Sequence, residues 1–121
     1  MINYISAKET DLYLEKYKGA DFQAFAYSLS HRKFLLKLEK ENLETVLCIN
    51  CVSCESFSGN LDFNNADIVL TKQKKDEWTT SFKVSDKKNN FEIICDGGVG
   101  LVVGLLSDFD NSFIKSYSFW K

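Results

Sequence analysis

From Asp21 onward the apolar residues of this chain recur at every second position, in short runs broken by turn-forming residues. Alternate positions of an extended chain face opposite sides, so this period builds half-buried strands. "DFQAFAYSL" gives way at Ser30 and His31 to "KFLLKLEK", in which Phe34, Leu36 and Leu38 share one face and Lys33, Lys37 and Glu39 are the charges around it. The pair reads as a hairpin. "ENLE" is a turn before "TVLCINCVSC", and "SGNLDFNNAD", Ser58 to Asp67, is loop chemistry before "IVLTKQ". "EWTTSFKVS" alternates Trp78, Thr80, Phe82 and Val84 with polar neighbours, as a half-buried strand does. "DKKNN" turns the chain into "FEIIC", "DGG" at Asp96 to Gly98 turns it again into "VGLVVGLL", and "SFIKSYSFW" reads as a last strand.

A helix precedes the strands. Ser6 followed by Glu9 is a capping-box spacing, in which each side chain satisfies a backbone amide that the first turn leaves unpaired. Gly19 after "KYK" suits a left-handed C-cap, and Leu12, Tyr13 and Tyr17 form a sparse apolar stripe from which Leu14 is excluded. The expected fold class is α+β, mainly β: a curled antiparallel sheet or half-barrel of about eight short strands, with an N-terminal helix over one opening or face. With no proline, no linker composition and no internal repeat, residues 1–121 are expected to form one domain. A chain of 121 residues buries about two thirds of its unfolded surface, and 45% hydrophobic and 14% aromatic residues suffice for one core.

Acid and base arrive by Lys8 and Glu9 with no apolar stretch of signal-peptide length before them, and the longest apolar run, Val99 to Leu106, is too short to span a bilayer. The chain therefore reads as a cytoplasmic protein with no membrane partner, in which the four cysteines stay reduced. Cys48, Cys51 and Cys54 follow one another at three-residue spacing, the spacing of a metal comb. A straight strand puts Cys48 and Cys54 on one side and Cys51 on the other, while Cys95 belongs to a different strand. Packed thiols are the expectation, with no metal and no cofactor.

No enzyme is expected either. A nucleophilic thiol needs a nearby cation or base, His31 is the sole imidazole, and the cysteine-bearing blocks contain no Lys or Arg. Gly98, Gly100 and Gly104 lie too near the end of the sequence for a nucleotide-binding βαβ unit and read as hairpin and bulge glycines. Lys72, Lys74 and Lys75 are followed at once by Asp76 and Glu77 in a chain of pI 5.4, which suits a lysine-guarded strand end rather than direct nucleic-acid binding.

Net charge is only −2, yet its order is uneven. Between Lys40 and Lys72 lie Glu41, Glu44, Glu55, Asp62 and Asp67 with no base, and between Lys88 and Lys115 lie Glu92, Asp96, Asp108 and Asp110 with none. Wherever those blocks meet in space they create a one-signed field. The helix ending "EKYKG", the charged hairpin "RKFLLKLEKENLETVLCI" and the acidic "SDFDNSF" together resemble the small immunity proteins of bacterial contact-dependent inhibition and other polymorphic-toxin systems. That resemblance implies a cytoplasmic protein encoded beside a toxin, whose protein partner is a cognate toxin domain, often a nuclease. A nuclease presents a basic groove to phosphates, for which an acidic face competes. Glu55, Asp62, Asp96, Asp108 and Asp110 are the expected rim charges and Phe109 the expected apolar anchor, with a place folded back into the core as the equal alternative for Phe109 in a chain this rich in phenylalanine. Two alternatives stand beside this: a small-ligand-binding barrel lined by aromatics such as Trp78 and Phe82, and a metal or redox protein that brings Cys48, Cys51, Cys54 and Cys95 together.

Overall fold

The computed structural model describes residues 2–28, 32–74 and 76–109. Within them β1 (Asn3–Ile5), a 3-10 turn (Ala7–Glu9) and α1 (Thr10–Lys16) precede β2 (Asp21–Ser28), β3 (Lys33–Glu39), β4 (Thr45–Gly59) and β5 (Asp62–Phe63). β6 (Val69–Lys74), β7 (Thr80–Asp86), β8 (Phe91–Leu105) and a final 3-10 turn (Leu106–Phe109) follow. All the strands join one antiparallel sheet in the order β5-β2-β3-β4-β8-β7-β6, with β1 added to β8. The protein is thus mainly β, a curled half-barrel with one short helix near its N-terminus.

The curl comes from β4 and β8. Each is 15 residues long, about 50 Å if straight, and they pair along almost their whole length, Thr45 opposite Leu105 through to Gly59 opposite Phe91. A ladder that long bends, and here it does so at two register shifts on either side of Cys54, where Ser53 takes a φ of 56°. Beyond the bend the two halves have different neighbours. Leu47 to Cys51 of β4 lie beside β3, while β8 carries β7 along Phe91–Cys95 and β1 along Leu101–Val103. After Gly59 the chain returns to the outer edge of β2, with Asp62 opposite Gln23 and Phe63 opposite Phe22. The expected turn at "DGG" is instead the interior of β8, with Gly98 opposite Val52, because a bulged ladder absorbs these glycines without reversing the chain. Similarly, "SGNLDFNNAD" holds the end of β4 and all of β5.

The concave face carries the main core, with Leu36, Leu38, Leu47, Ile49, Val84, Ile93 and Leu101 buried. A connected set of rings continues it: Phe22 stacks on Phe63 at 4.3 Å and meets Phe91 at 4.6 Å, and Phe91 reaches Phe57, Phe34 and Tyr27 in turn. Phe34, Leu36 and Leu38 do share this face, as their alternation requires. Leu35, Val46, Cys48, Val102 and Phe109 form a second cluster apart from it.

α1 closes the core near the start of β4. It is shorter than the span from Ser6 to Gly19, and Ser6 Oγ donates to the Glu9 carboxylate at 2.9 Å instead of capping a backbone amide. The buried positions are Leu14 and Tyr17, while Leu12 is 66% exposed, because the opening that the helix covers lies on the Leu14 side. The Tyr17 hydroxyl reaches the Thr45 carbonyl oxygen at 3.0 Å and its Oγ1 at 2.7 Å, which ties the helix end to the first residue of β4. Gly19, at φ 90°, then donates to Ala66 O, and Ala66 N–H to Ala20 O. Trp78 is the other departure: it precedes β7 in a turn held by the Asp76 carboxylate and is 90% exposed. The expected last strand lies outside the described residues, as do Ser30, His31 and Lys75.

Two positions generate stability predictions. Gly59 has φ 100°, and a side chain there would run into the Asn90 carbonyl, so Gly59→Ala should cost at least about 2 kcal/mol in urea unfolding, whereas Leu12→Ala should stay within about 0.5 kcal/mol. Asp86 is buried and accepts from Asp67 N–H at 2.7 Å, Asn89 N–H at 3.2 Å and Asn89 Nδ2 at 2.9 Å. Asp86→Ala should lose about 1–3 kcal/mol by the same measurement, because buried donors are left without an acceptor.

Candidate functional site

Carboxylates cluster where β2 begins and β3 ends. Asp21 and Glu39 are direct cross-strand partners, and the turn from Lys40 to Glu44 adds two more carboxylates, at Glu41 and Glu44. Three adjoining depressions share Asp21 and Glu39. The largest, about 410 Å³, is floored by Leu43, Val46 and the half-exposed Leu106, and a neighbour of about 230 Å³ adds Asp62, Asn64 and Lys37. Lys37 pairs with Glu39 at 2.9 Å, and Lys40 donates to the Lys16 carbonyl at 3.4 Å. Nearby, the Lys16 ammonium lies over the Tyr13 ring, 5.7 Å from its centre. The groove is therefore net negative with an apolar floor. Like charges directly opposite on antiparallel strands oppose pairing, so Asp21 facing Glu39 is unfavourable for the hairpin by itself.

Among the described residues the expected rim charges do not gather into one patch. Asp62 lines the smaller depression next to Asp21 and Glu39. Glu55 and Asp96 are exposed beside Cys54 and Cys95, partners at the bulge of the β4–β8 ladder, and form a separate place on the surface. From the same base-free blocks, Glu92 is paired with Lys83 at 3.4 Å. Asp108 Oδ2 accepts the Leu105 N–H at 2.9 Å, and this hydrogen bond holds its carboxyl below the usual carboxylate range. Phe109 is a correction: it is 6% exposed in the second core cluster, against Leu35, Val46, Cys48 and Val102, and presents no ring to a partner. The 3-10 turn from Leu106 folds it inward. Asp110 lies outside the described residues.

Asp21, Glu39, Glu41 and Glu44 were the residues to single out, and the hairpin held part of the signal. Antiparallel pairing of "DFQAFAYS" with "KFLLKLE" sets Asp21 against Glu39 once the register is known. The register is what sequence lacks here, because a bulge between Ala24 and Ala26 moves it by one residue.

The thiols are also rearranged relative to a straight strand. Cys51, Cys54 and Cys95 belong to the main core and Cys48 to the second cluster, the reverse of the expected pairing of Cys48 with Cys54. The bulge at Ser53 causes this by rotating Cys54 onto the side of Cys51. Burial pushes the Cys48 thiol up to about 12. Cys54 is raised by its hydrogen bond with Cys95 and by burial, and Cys95 by its hydrogen bond with Cys51 and by burial. Cys48, Cys54 and Cys95 are protonated near neutral pH, and no group of three or more His, Cys, Asp or Glu among the described residues is arranged to hold a metal ion. Trp78 does not face the interior, and Phe82 is half-buried.

No known protein family, curated protein or solved structure matches this chain. Among the described residues no helix is long and apolar enough to cross a membrane.

The Asp108 contact has a pH signature. A carboxyl whose folded value is depressed stabilises the protein above its unfolded value, and that contribution is lost as pH falls through the folded one. Thermal unfolding of Asp108→Asn should show a lower Tm than wild type at neutral pH, and the gap should close as both are acidified through the carboxylate range.

Proposed function

We propose that this is a cytoplasmic immunity protein, which binds a basic toxin domain, in the first instance a nuclease, through the acidic groove around Asp21, Glu39, Glu41, Glu44 and Asp62. The observation that carries the reading is the Asp21–Glu39 pair, with Glu41 and Glu44 next to it over an apolar floor. Opposed carboxylates cost the free hairpin stability; Lys37 relieves part of that cost through Glu39, and a cationic partner relieves more on binding. Leu43 and Leu106 supply the apolar contact that charge alone does not provide. Glu55 and Asp96 sit apart and add to the long-range field rather than to the groove.

The mechanism is competition for a phosphate-binding surface. A nuclease groove lined with Lys and Arg attracts this face over roughly the Debye length, about 8 Å at physiological salt, which raises the encounter rate. Once docked, the groove covers the residues that phosphates would reach, and no chemistry is required of this chain.

Co-expression with the toxin domain encoded beside it should protect cells, and stopped-flow association should slow steeply with added salt. Charge reversal at Glu41 and Glu44 together should lower the association rate about tenfold or more at low ionic strength and flatten its salt dependence. Asp96→Lys should change it much less. Protection with an association rate indifferent to both salt and the Glu41/Glu44 reversal would remove the groove from the interface, and absence of protection would remove the immunity reading.

A further inference from the structure

The bulge in β4 sets Cys54 directly opposite Cys95 of β8, with 3.5 Å between the two sulfur atoms. We propose that these two thiols are a built oxidation site, which a peroxide converts to an intramolecular Cys54–Cys95 disulfide that staples the longest ladder of the sheet.

Two independent features point there. The first is the placement: partners across an antiparallel ladder have Cα atoms about 4.5–5.5 Å apart, inside the range that a disulfide spans, so closing the bond asks for side-chain rotation and little backbone movement. The second is the backbone that produces it. Register shifts flank Cys54 on both sides, and Ser53 before it has φ 56°, a left-handed conformation disfavoured for a residue with a side chain. Without that local irregularity Cys54 would face away from Cys51 and from the core. The Cys54 amide N–H is held by the Arg32 carbonyl oxygen at 2.6 Å and its S–H by the Cys51 carbonyl oxygen at 3.5 Å, so the thiol is oriented as well as placed.

Exposure assigns the order of events. Cys54 is 7% exposed and Cys95 is fully buried, so a small oxidant reaches Cys54 first. The Cys54 sulfur, after losing its proton, attacks one oxygen of hydrogen peroxide; the O–O bond breaks, a sulfenic acid forms, and the leaving hydroxide takes up the proton as water. The Cys95 sulfur then attacks the sulfenic sulfur and the S–O bond breaks. The departing hydroxide collects the Cys95 proton as a second water. Two thiols are oxidised and one peroxide is reduced to two waters. Because both thiols hold their protons tightly, the reaction is slow at neutral pH and accelerates as pH rises. The cysteines are 41 residues apart, so the bond closes a long loop and stabilises chiefly by restricting the unfolded chain.

The test is peroxide treatment of the folded full-length protein, alkylation of remaining thiols in denaturant, and peptide mapping without reductant. Expected is a monomer lighter by two hydrogens, with a crosslinked peptide joining Cys54 to Cys95 and with Cys48 and Cys51 alkylated. Its Tm should rise by about 5 °C or more and fall back on reduction. Cys51→Ala should retain the crosslink and Cys95→Ala should lose both the crosslink and the Tm gain. Should Cys95→Ala fail to fold, the map of the wild-type protein decides alone. A Cys51–Cys95 or Cys48 crosslink, a disulfide-linked dimer, or Cys54 recovered as thiol or sulfinic acid with Cys95 free would each overturn the proposal.

Discussion

Two 15-residue strands that stay paired while bending are the constraint on which this molecule depends. Backbone groups in a buried ladder must find partners, so β4 and β8 cannot simply part where the sheet has to curl. The register shifts around Cys54 let the ladder bend without being abandoned. From that bend follow the different neighbours of the two halves of β8, the return of the chain to β2 and the concave face that the aromatic residues fill. α1 and the Ala66 loop then close what the curl leaves open, through Tyr17 on Thr45 and through Gly19 and Ala20 on Ala66.

The same bend separates charges that are close in sequence order. Glu55 and Asp96 come to lie beside it, while Asp62, seven residues after Glu55, is carried to the edge of β2, where Asp21 and Glu39 already face each other. The negative groove is thus assembled from three chain segments: Glu41, Glu44 and Asp62 come from the first base-free block, and Asp21 and Glu39 from outside it. Asp108 and Phe109, adjacent in sequence, have separate tasks, one accepting a backbone amide and the other filling the core.

Much of the architecture was legible. Period-two alternation marked the hairpin of β2 and β3, with Phe34, Leu36 and Leu38 on the core face, and Gly19 marked the left-handed turn after the helix. The errors share a cause. Trp78 continues the alternation of Thr80, Phe82 and Val84 but sits beyond the end of β7, where the sheet offers nothing to cover it. "DGG" has turn composition yet runs through β8, because a paired strand with a bulge uses glycines too. Leu14 and Leu12 exchange places because which side of a short helix is buried depends on what it packs against.

By itself the sequence determined a mainly β chain, the approximate sites of its strands and turns, and the uneven order of its charges, since these depend on residues close together along the chain. Only the tertiary structure decided that Asp21 opposes Glu39, that Phe109 is covered, and that Cys54 meets Cys95 rather than sharing a face with Cys48. The physical reason is that a bulge changes which side the following residues face, until a second bulge restores the pattern, at small local cost. The position of such a bulge is set by the competition of distant strands for the same core.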